Sequence, residues 1–319
     1  MLSESSKFVR ISTDYLLAVE RKIDFDIYTL LPNSKRPLLL IAADTNIAEV
    51  KDILTRKNHG PLYITQNSSR KFEHFMEGSL NSIIKNKAFP LERKSLLVHN
   101  CAKDIIKDVF DDPRSGRNIS RANNITDNII DLTLNNPQSI RQLLSLGSHN
   151  YYTFSHCVNV AVFGIGLWLK IHKDDANELH NFALGCILHD VGKSQIMDSI
   201  LNKRAKLDHE EFEIIKQHPA EGYSLMASHA SDTSLDVILH HHEKINGTGY
   251  PHGLKENQIS DNAKIATIAD VYDALTTNRP YAGALQPVKA LNLMKKEMVG
   301  HFEQNKFEEF ILFLGGKTD

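Results

Sequence analysis

The chain has 319 residues, 41% of them apolar and 24% charged, which gives room for roughly two domains and the composition of an ordinary soluble protein able to bury a core. Its formal net charge of −2 offers no electrostatic reason to expect a nucleic-acid polymer as partner. Cys101, Cys157 and Cys186 are too few and too scattered for a disulfide framework or a CxxC metal site, so a reducing compartment is the expectation.

The first ten residues, MLSESSKFVR, lack the apolar core of a signal peptide. Phe8 to Ile11, Phe25 to Leu31, Pro37 to Ala42 and Leu62 to Thr65 then read as short strands separated by Asn, Ser, Pro and Gly. Between and after them, Ile47 to Arg56 and Arg70 to Lys85 carry helical spacing. Residues 1–90 thus predict a small α+β module for packing or sensing, with no cluster of ligand-type side chains. Of the 16 histidines, 13 lie at or after His149, so the chemistry belongs to the second part of the chain.

From Leu91 onward the pattern is helix after helix, an all-α bundle over 91–319 with linking helices at 91–147 and a core at 148–302. Leu91 to Phe110, Ile119 to Leu134 and Ile140 to Leu146 repeat apolar residues near a 3.6 period. Tyr151 to Ile171 is apolar nearly all round, as a helix in the middle of a bundle is. Its longest apolar run, Val160 to Leu169, falls short of the roughly 18–20 residues of a membrane span, so a cytoplasmic protein with no membrane partner is expected. Asp175 to His189 follows, then Asp208 to His218, with Asp208 and Glu211 in capping-box spacing and a stop at Pro219. Ala220 to Ser228, Asp232 to His242, and Asp261 to Thr276 with an Asp cap complete the series.

The densest chemistry lies in Leu239 to Gly253, LHHHEKINGTGYPHG. Each buried imidazole needs a hydrogen-bond partner or a metal, and the glycines with Pro251 then make a tight loop. His156, His189-Asp190, His218, His241-His242 and Asp270 recur at intervals of roughly 25–35 residues, enough for a helix to return to the same place, as ligands do in bundle-core metal sites. Neighbours on a helix point about 100° apart, so each adjacent pair straddles two ions more easily than it chelates one. Asp190, with two oxygens, is the natural bridge of a dinuclear centre. A donor set of imidazole and carboxylate suits iron, manganese or zinc better than magnesium.

LHDVGK at 188–193, KQHPAEG at 216–222, HHEKINGTGYP at 241–251 and ADVYDALTTNRPY at 269–281 together resemble the HD-GYP branch of the HD-domain phosphohydrolases. The resemblance covers about 150 residues, from His156 to near Phe302. It implies hydrolysis of cyclic di-GMP to pGpG or GMP at a cluster of iron or manganese ions. Carried over position by position, it implies His156, His189, Asp190, His218, His241, His242 and Asp270 as metal ligands. Lys193 would contact the scissile phosphate or assist the leaving group, and Arg279 would hold a phosphate oxygen or guanine edge. Gly249, Tyr250 and Pro251 would shape the substrate loop. Members with a third metal carry a glutamate where this chain has Tyr152, so two metals are expected. The basic residue usual after RPY is replaced by Ala282, and Lys244 and Asn246 stand where arginine and aspartate are more usual. Those departures keep open a metal-containing module that binds the cyclic dinucleotide or signalling proteins through its helices and GYP loop, and a hydrolase of another phosphoester.

Overall fold

A computed structural model of the chain describes residues 7–30, 37–55, 59–147, 153–172, 176–203, 205–278 and 283–315. The chain divides into two compact units, up to Leu97 and from Val98 on.

The first unit holds strands β1 (Phe8–Ile11), β2 (Ile27–Thr29), β3 (Leu38–Ile41) and β4 (Leu62–Thr65), interspersed with helices α1 (Thr13–Leu17) and α2 (Ile47–Thr55). The strands form one antiparallel sheet in the order β1-β4-β2-β3. Alternation sets the buried face: Ile27 and Thr29 of β2 and Leu62 and Ile64 of β4 point inward. Ile47 and Leu54 of α2 are fully buried in the same unit. The expected single helix over 70–85 is two, α3 (Ser69–Glu77) and α4 (Leu80–Lys85). The break falls at Gly78-Ser79, where the Ser79 hydroxyl donates to the Phe75 carbonyl at 2.6 Å, a side-chain competitor for helical backbone bonding.

α5 (Leu91–Asp111) carries the chain through the boundary, and the rest is helical: α6 (Gly116–Asn135), α7 (Ser139–Gly147), α8 (Thr153–Ile171), α9 (Ala176–Leu188), α10 (Asp198–Leu201), α11 (His209–Ile215), α12 (His218–Met226), α13 (Asp232–His240), α14 (Asp261–Thr276), α15 (Pro287–Glu297) and α16 (Gln304–Leu314). α8 is the axis, with Ser155 through Trp168 all buried. It packs on α7, α9, α14 and α16, while α13 packs on α9, α12 and α14. α8 is long and apolar enough to cross a membrane by length and composition, yet 78% of that window is buried inside this bundle, as in the core helix of a globular domain. Phe310 of α16 closes over it, 5.9 Å from the Phe163 ring and 5.1 Å from Tyr272.

Three boundaries differ from the sequence reading. α11 stops at Ile215 and His218 opens α12 rather than closing the helix before it, because Pro219 lies in the first turn of α12, the one turn where its missing N–H costs nothing. The cap of α14 is Ser260, whose hydroxyl accepts from the Ala263 amide at 3.0 Å, and not Asp261. α13 ends at His240, which places His241 and His242 in the turn beyond it. The capping box of α11 is as expected: the Glu211 and Asp208 amides each donate to the other residue's carboxylate at 2.9 Å.

Replacing fully buried Ile165 of α8 by alanine is expected to cost about 2–5 kcal/mol. A urea unfolding midpoint within error of the wild type would show that α8 is not the packing axis.

Candidate metal centre

The ligand-type residues of the sequence meet at one point, and each comes from a helix end or the face of a central helix. α8 brings His156, the end of α9 brings His189 and Asp190, the start of α12 brings His218, the turn after α13 brings His241 and His242, and α14 brings Asp270. All are buried except His242, which is partly exposed. Asp190, His218, His241 and His242 form one group able to hold an ion and His156, His189 and Asp270 another, while buried Cys157 makes a third with His189 and Asp190. Asp190 joins them. Its Oδ1 lies 3.3 Å from His218 Nε2 and 3.9 Å from His241 Nε2, and its Oδ2 lies 3.4 Å from His189 Nε2 and 3.9 Å from His156 Nε2. Asp270 Oδ1 is 3.1 Å from His156 Nε2, and its Oδ2 is 3.6 Å from His242 Nδ1.

Helix geometry fixes which ring nitrogen faces the centre. The last carbonyls of a helix have no intrahelical donor. His189 Nδ1 donates to the Cys186 carbonyl at 2.7 Å, His218 Nδ1 to Ile215 at 2.7 Å, and His241 Nδ1 to Ile238 at 2.9 Å. A carbonyl only accepts, so Nδ1 carries the proton and a neutral ring turns a bare Nε2 lone pair inward. His156 reaches the same state differently, with Nδ1 donating to Asp273 Oδ2 at 2.6 Å. Asp273 is itself held at Oδ1 by Asn159 Nδ2 at 2.8 Å and the Thr277 hydroxyl at 3.1 Å. This is how metal-ligating histidines are oriented, with the second nitrogen given to a carbonyl or carboxylate.

The charge state of the cluster suits a cation. Burial lowers His218, His241 and His242 below the ordinary imidazole value, His242 to about 3, so these rings are neutral near pH 7. Burial alone would raise the carboxyl of Asp190, but the polar groups beside it, the Lys193 ammonium among them, hold it well below the usual range. His218 Nε2 and His241 Nε2 face each other at 3.2 Å, lone pair against lone pair when both rings are neutral. His189 Nε2 and Asp190 Oδ1 are buried with no hydrogen-bond partner among the described residues. Such orphaned acceptors are costly, and a divalent cation would satisfy them together. The residues fit a metal.

Around this centre, Lys193 Nζ donates to Asp190 Oδ2 at 2.7 Å. Gly192 is what lets that turn touch α12: a Cβ there would lie 2.0 Å from the His218 carbonyl oxygen and 2.5 Å from the Gly222 amide. The Gly249-Tyr250-Pro251 loop arrives beside His242, the two rings 4.7 Å apart and 33° from parallel. His240 stands aside, with Nδ1 on Asp236 Oδ1 at 2.8 Å. Arg279 lies outside the described residues, as do Tyr281, Ala282 and Tyr152. Sequence reasoning passed over Asp273, Asn159 and Glu243. A signal for the first two existed: Asn159 follows His156, and Asp273 follows Asp270, by three residues on a helix, which is one face.

A bundle with a buried His/Asp cluster at its helix ends is a scaffold able to hold metal, and comparison with known proteins finds a known domain within it. Residues 166–305 match the HD domain. A Pseudomonas aeruginosa protein named cyclic di-GMP phosphodiesterase PA4108 is 35% identical over 227 residues, 70% of this chain and 54% of its own length. A Vibrio cholerae protein named 3'3'-cGAMP-specific phosphodiesterase 3 is 34% identical over 148 residues, 46% of this chain and 32% of its own. The chain thus spans about half of the first relative and a third of the second. The solved structure of Bd1817, an HDG"Y"P protein from Bdellovibrio bacteriovorus, shares the fold, with a TM-score of 0.69 at 19% identity over 97% of this chain and 99% of that one. Residues 166–305 thus carry an HD domain, and the chain is homologous to proteins named cyclic di-GMP phosphodiesterases.

Asp273→Asn removes the charge that holds His156, and metal affinity is expected to fall about 10- to 100-fold, read by competition with a chelator; unchanged affinity would remove Asp273 from the site. Acid should also unfold the metal-free protein early. The unfolded chain takes up protons as pH falls through the ordinary imidazole value of 6.5, whereas folded His242 resists until about 3, so stability is present above that window and drains away within it. The urea midpoint of chelated protein should therefore decline between pH 7 and 5, and a flat profile would contradict neutral buried imidazoles.

Proposed function

We propose that the protein is a metal-dependent phosphodiesterase that hydrolyses cyclic di-GMP to pGpG or GMP at a dinuclear centre of iron or manganese. The observation that carries the reading is Asp190, whose two oxygens face two separate groups of inward lone pairs. His218, His241 and His242 would hold one cation and His156, His189 and Asp270 the other, with Asp190 shared. When bound, the cations would supply Lewis-acid charge that makes water acidic enough to act as nucleophile near neutral pH and offsets charge building on phosphorus.

The chain's own residues would do the rest. Asp190 positions both groups and, through its Oδ2, orients the Lys193 ammonium. Lys193 would meet a phosphate oxygen or give a proton to the leaving ribose oxygen. Tyr250, backed by His242, would flank the dinucleotide, and Arg279 would hold a phosphate oxygen or a guanine edge. Buried free thiols at Cys101, Cys157 and Cys186 support a reducing, cytoplasmic setting. The homologue named for 3'3'-cGAMP favours a second reading, in which the mixed cyclic dinucleotide is the better substrate of the same centre.

Protein loaded anaerobically with iron(II) or manganese(II) is expected to bind about two metals per chain and to hydrolyse cyclic di-GMP, and Asp190→Ala should fall to background. Metal bound without turnover of cyclic di-GMP or 3'3'-cGAMP would replace the enzyme with a binding module; no metal would overturn the site.

A further inference from the structure

Glu243 follows directly on His242 and is 1% exposed. It belongs to none of the groups of donors facing the centre. Its carboxylate turns the other way and accepts three consecutive backbone amides of the loop that follows: His252 at 2.7 Å and Gly253 at 3.1 Å on Oε1, and Leu254 at 2.9 Å on Oε2. Gly253, at φ +65°, makes the turn that aims those amides inward. The near end of the loop is held by close backbone approach. The Tyr250 amide donates to the His242 carbonyl at 3.3 Å, and a Cβ on Gly249 would lie 2.5 Å from Glu243 Cα and 2.6 Å from the His242 oxygen. Tyr250 and Pro251 are thus strapped at both ends to the turn that carries His241 and His242.

We infer that Glu243 is a positioning residue that latches the Gly249-Tyr250-Pro251 loop over the His/Asp cluster and so sets how tightly a cyclic dinucleotide is gripped. This rests on the activity proposed above. The geometry separates the latch from four of the histidine donors: His156, His189, His218 and His241 are oriented by Asp273, Cys186, Ile215 and Ile238 and not by Glu243, so releasing the loop leaves those four rings in place. Glutamine at 243 keeps the shape but turns an NH2 toward backbone amides, replacing at least one accepted bond with two opposed donors.

The test is Glu243→Gln on the full chain, with hydrogen exchange resolved at His252–Leu254. Exchange there should rise roughly tenfold or more, while the amides of Ile265–Ala269 in α14, which report the fold, stay protected and metal content stays at the wild-type value. KM for cyclic di-GMP should rise roughly 10- to 100-fold with little change in kcat, and Glu243→Asp, which keeps the charge on a shorter stem, should fall between. Unchanged exchange at 252–254, exchange gained together with metal loss, or a fall in kcat at constant KM would each overturn the latch. Should the wild type turn over no cyclic di-GMP, the proposed activity fails, and the exchange data alone decide whether Glu243 holds the loop.

Discussion

Everything in the helical unit bears on one electrostatic problem: several acceptor atoms are aimed at one another in a largely buried pocket of the bundle. His218 and His241 present Nε2 to Nε2 at 3.2 Å, and Asp190 is fully buried with a bare Oδ1. In a low-dielectric interior this arrangement is unfavourable unless positive charge completes it. The bundle tolerates it because α8, α9, α13 and α14 are packed tightly by Ile165, Val237, Ile268 and their neighbours, all shielded from solvent. Apolar burial holds in place a polar arrangement that would not hold itself.

The same packing explains the division of labour along the chain. Helix ends are where unpaired carbonyls occur, and the site takes His189, His218 and His241 from helix ends or the turns beside them. His156 lies in the first turn of α8, where the carbonyls are already taken by intrahelical amides, so a carboxylate from α14 substitutes. Lys193 and Gly192 occupy the short turn after α9, close enough to α12 that only a missing side chain permits the approach.

Much of this was legible in the sequence, for physical reasons that can be named. Adjacent donors such as His189-Asp190 and His241-His242 at predicted helix ends are conspicuous, and their spacing matches helix length. The seven candidate ligands do come together. Asp273 was hidden because an aspartate three residues after Asp270 reads equally well as a helix-surface charge. Glu243 was hidden because its amide partners lie nine to eleven residues on, in a loop whose return path follows from Gly249 and Gly253 and not from any periodicity. The sheet order β1-β4-β2-β3 joins strands far apart in sequence, which strand patterns alone do not rank. α15 and α16 carried readable signals, Pro287 in a first turn and Phe307 with Phe310 on one face, but no chemistry drew the eye to them.

Three of the four oriented histidines are held by main-chain oxygen, at Cys186, Ile215 and Ile238. A carbonyl is the same group whatever side chain stands above it. Those positions are therefore free to drift among apolar residues without disturbing the rings they steer, whereas Asp273 has no such latitude. Comparisons of related chains, and scanning mutagenesis with them, would register one holder and miss three, so the supporting shell of this site would look thinner by substitution than it is in space.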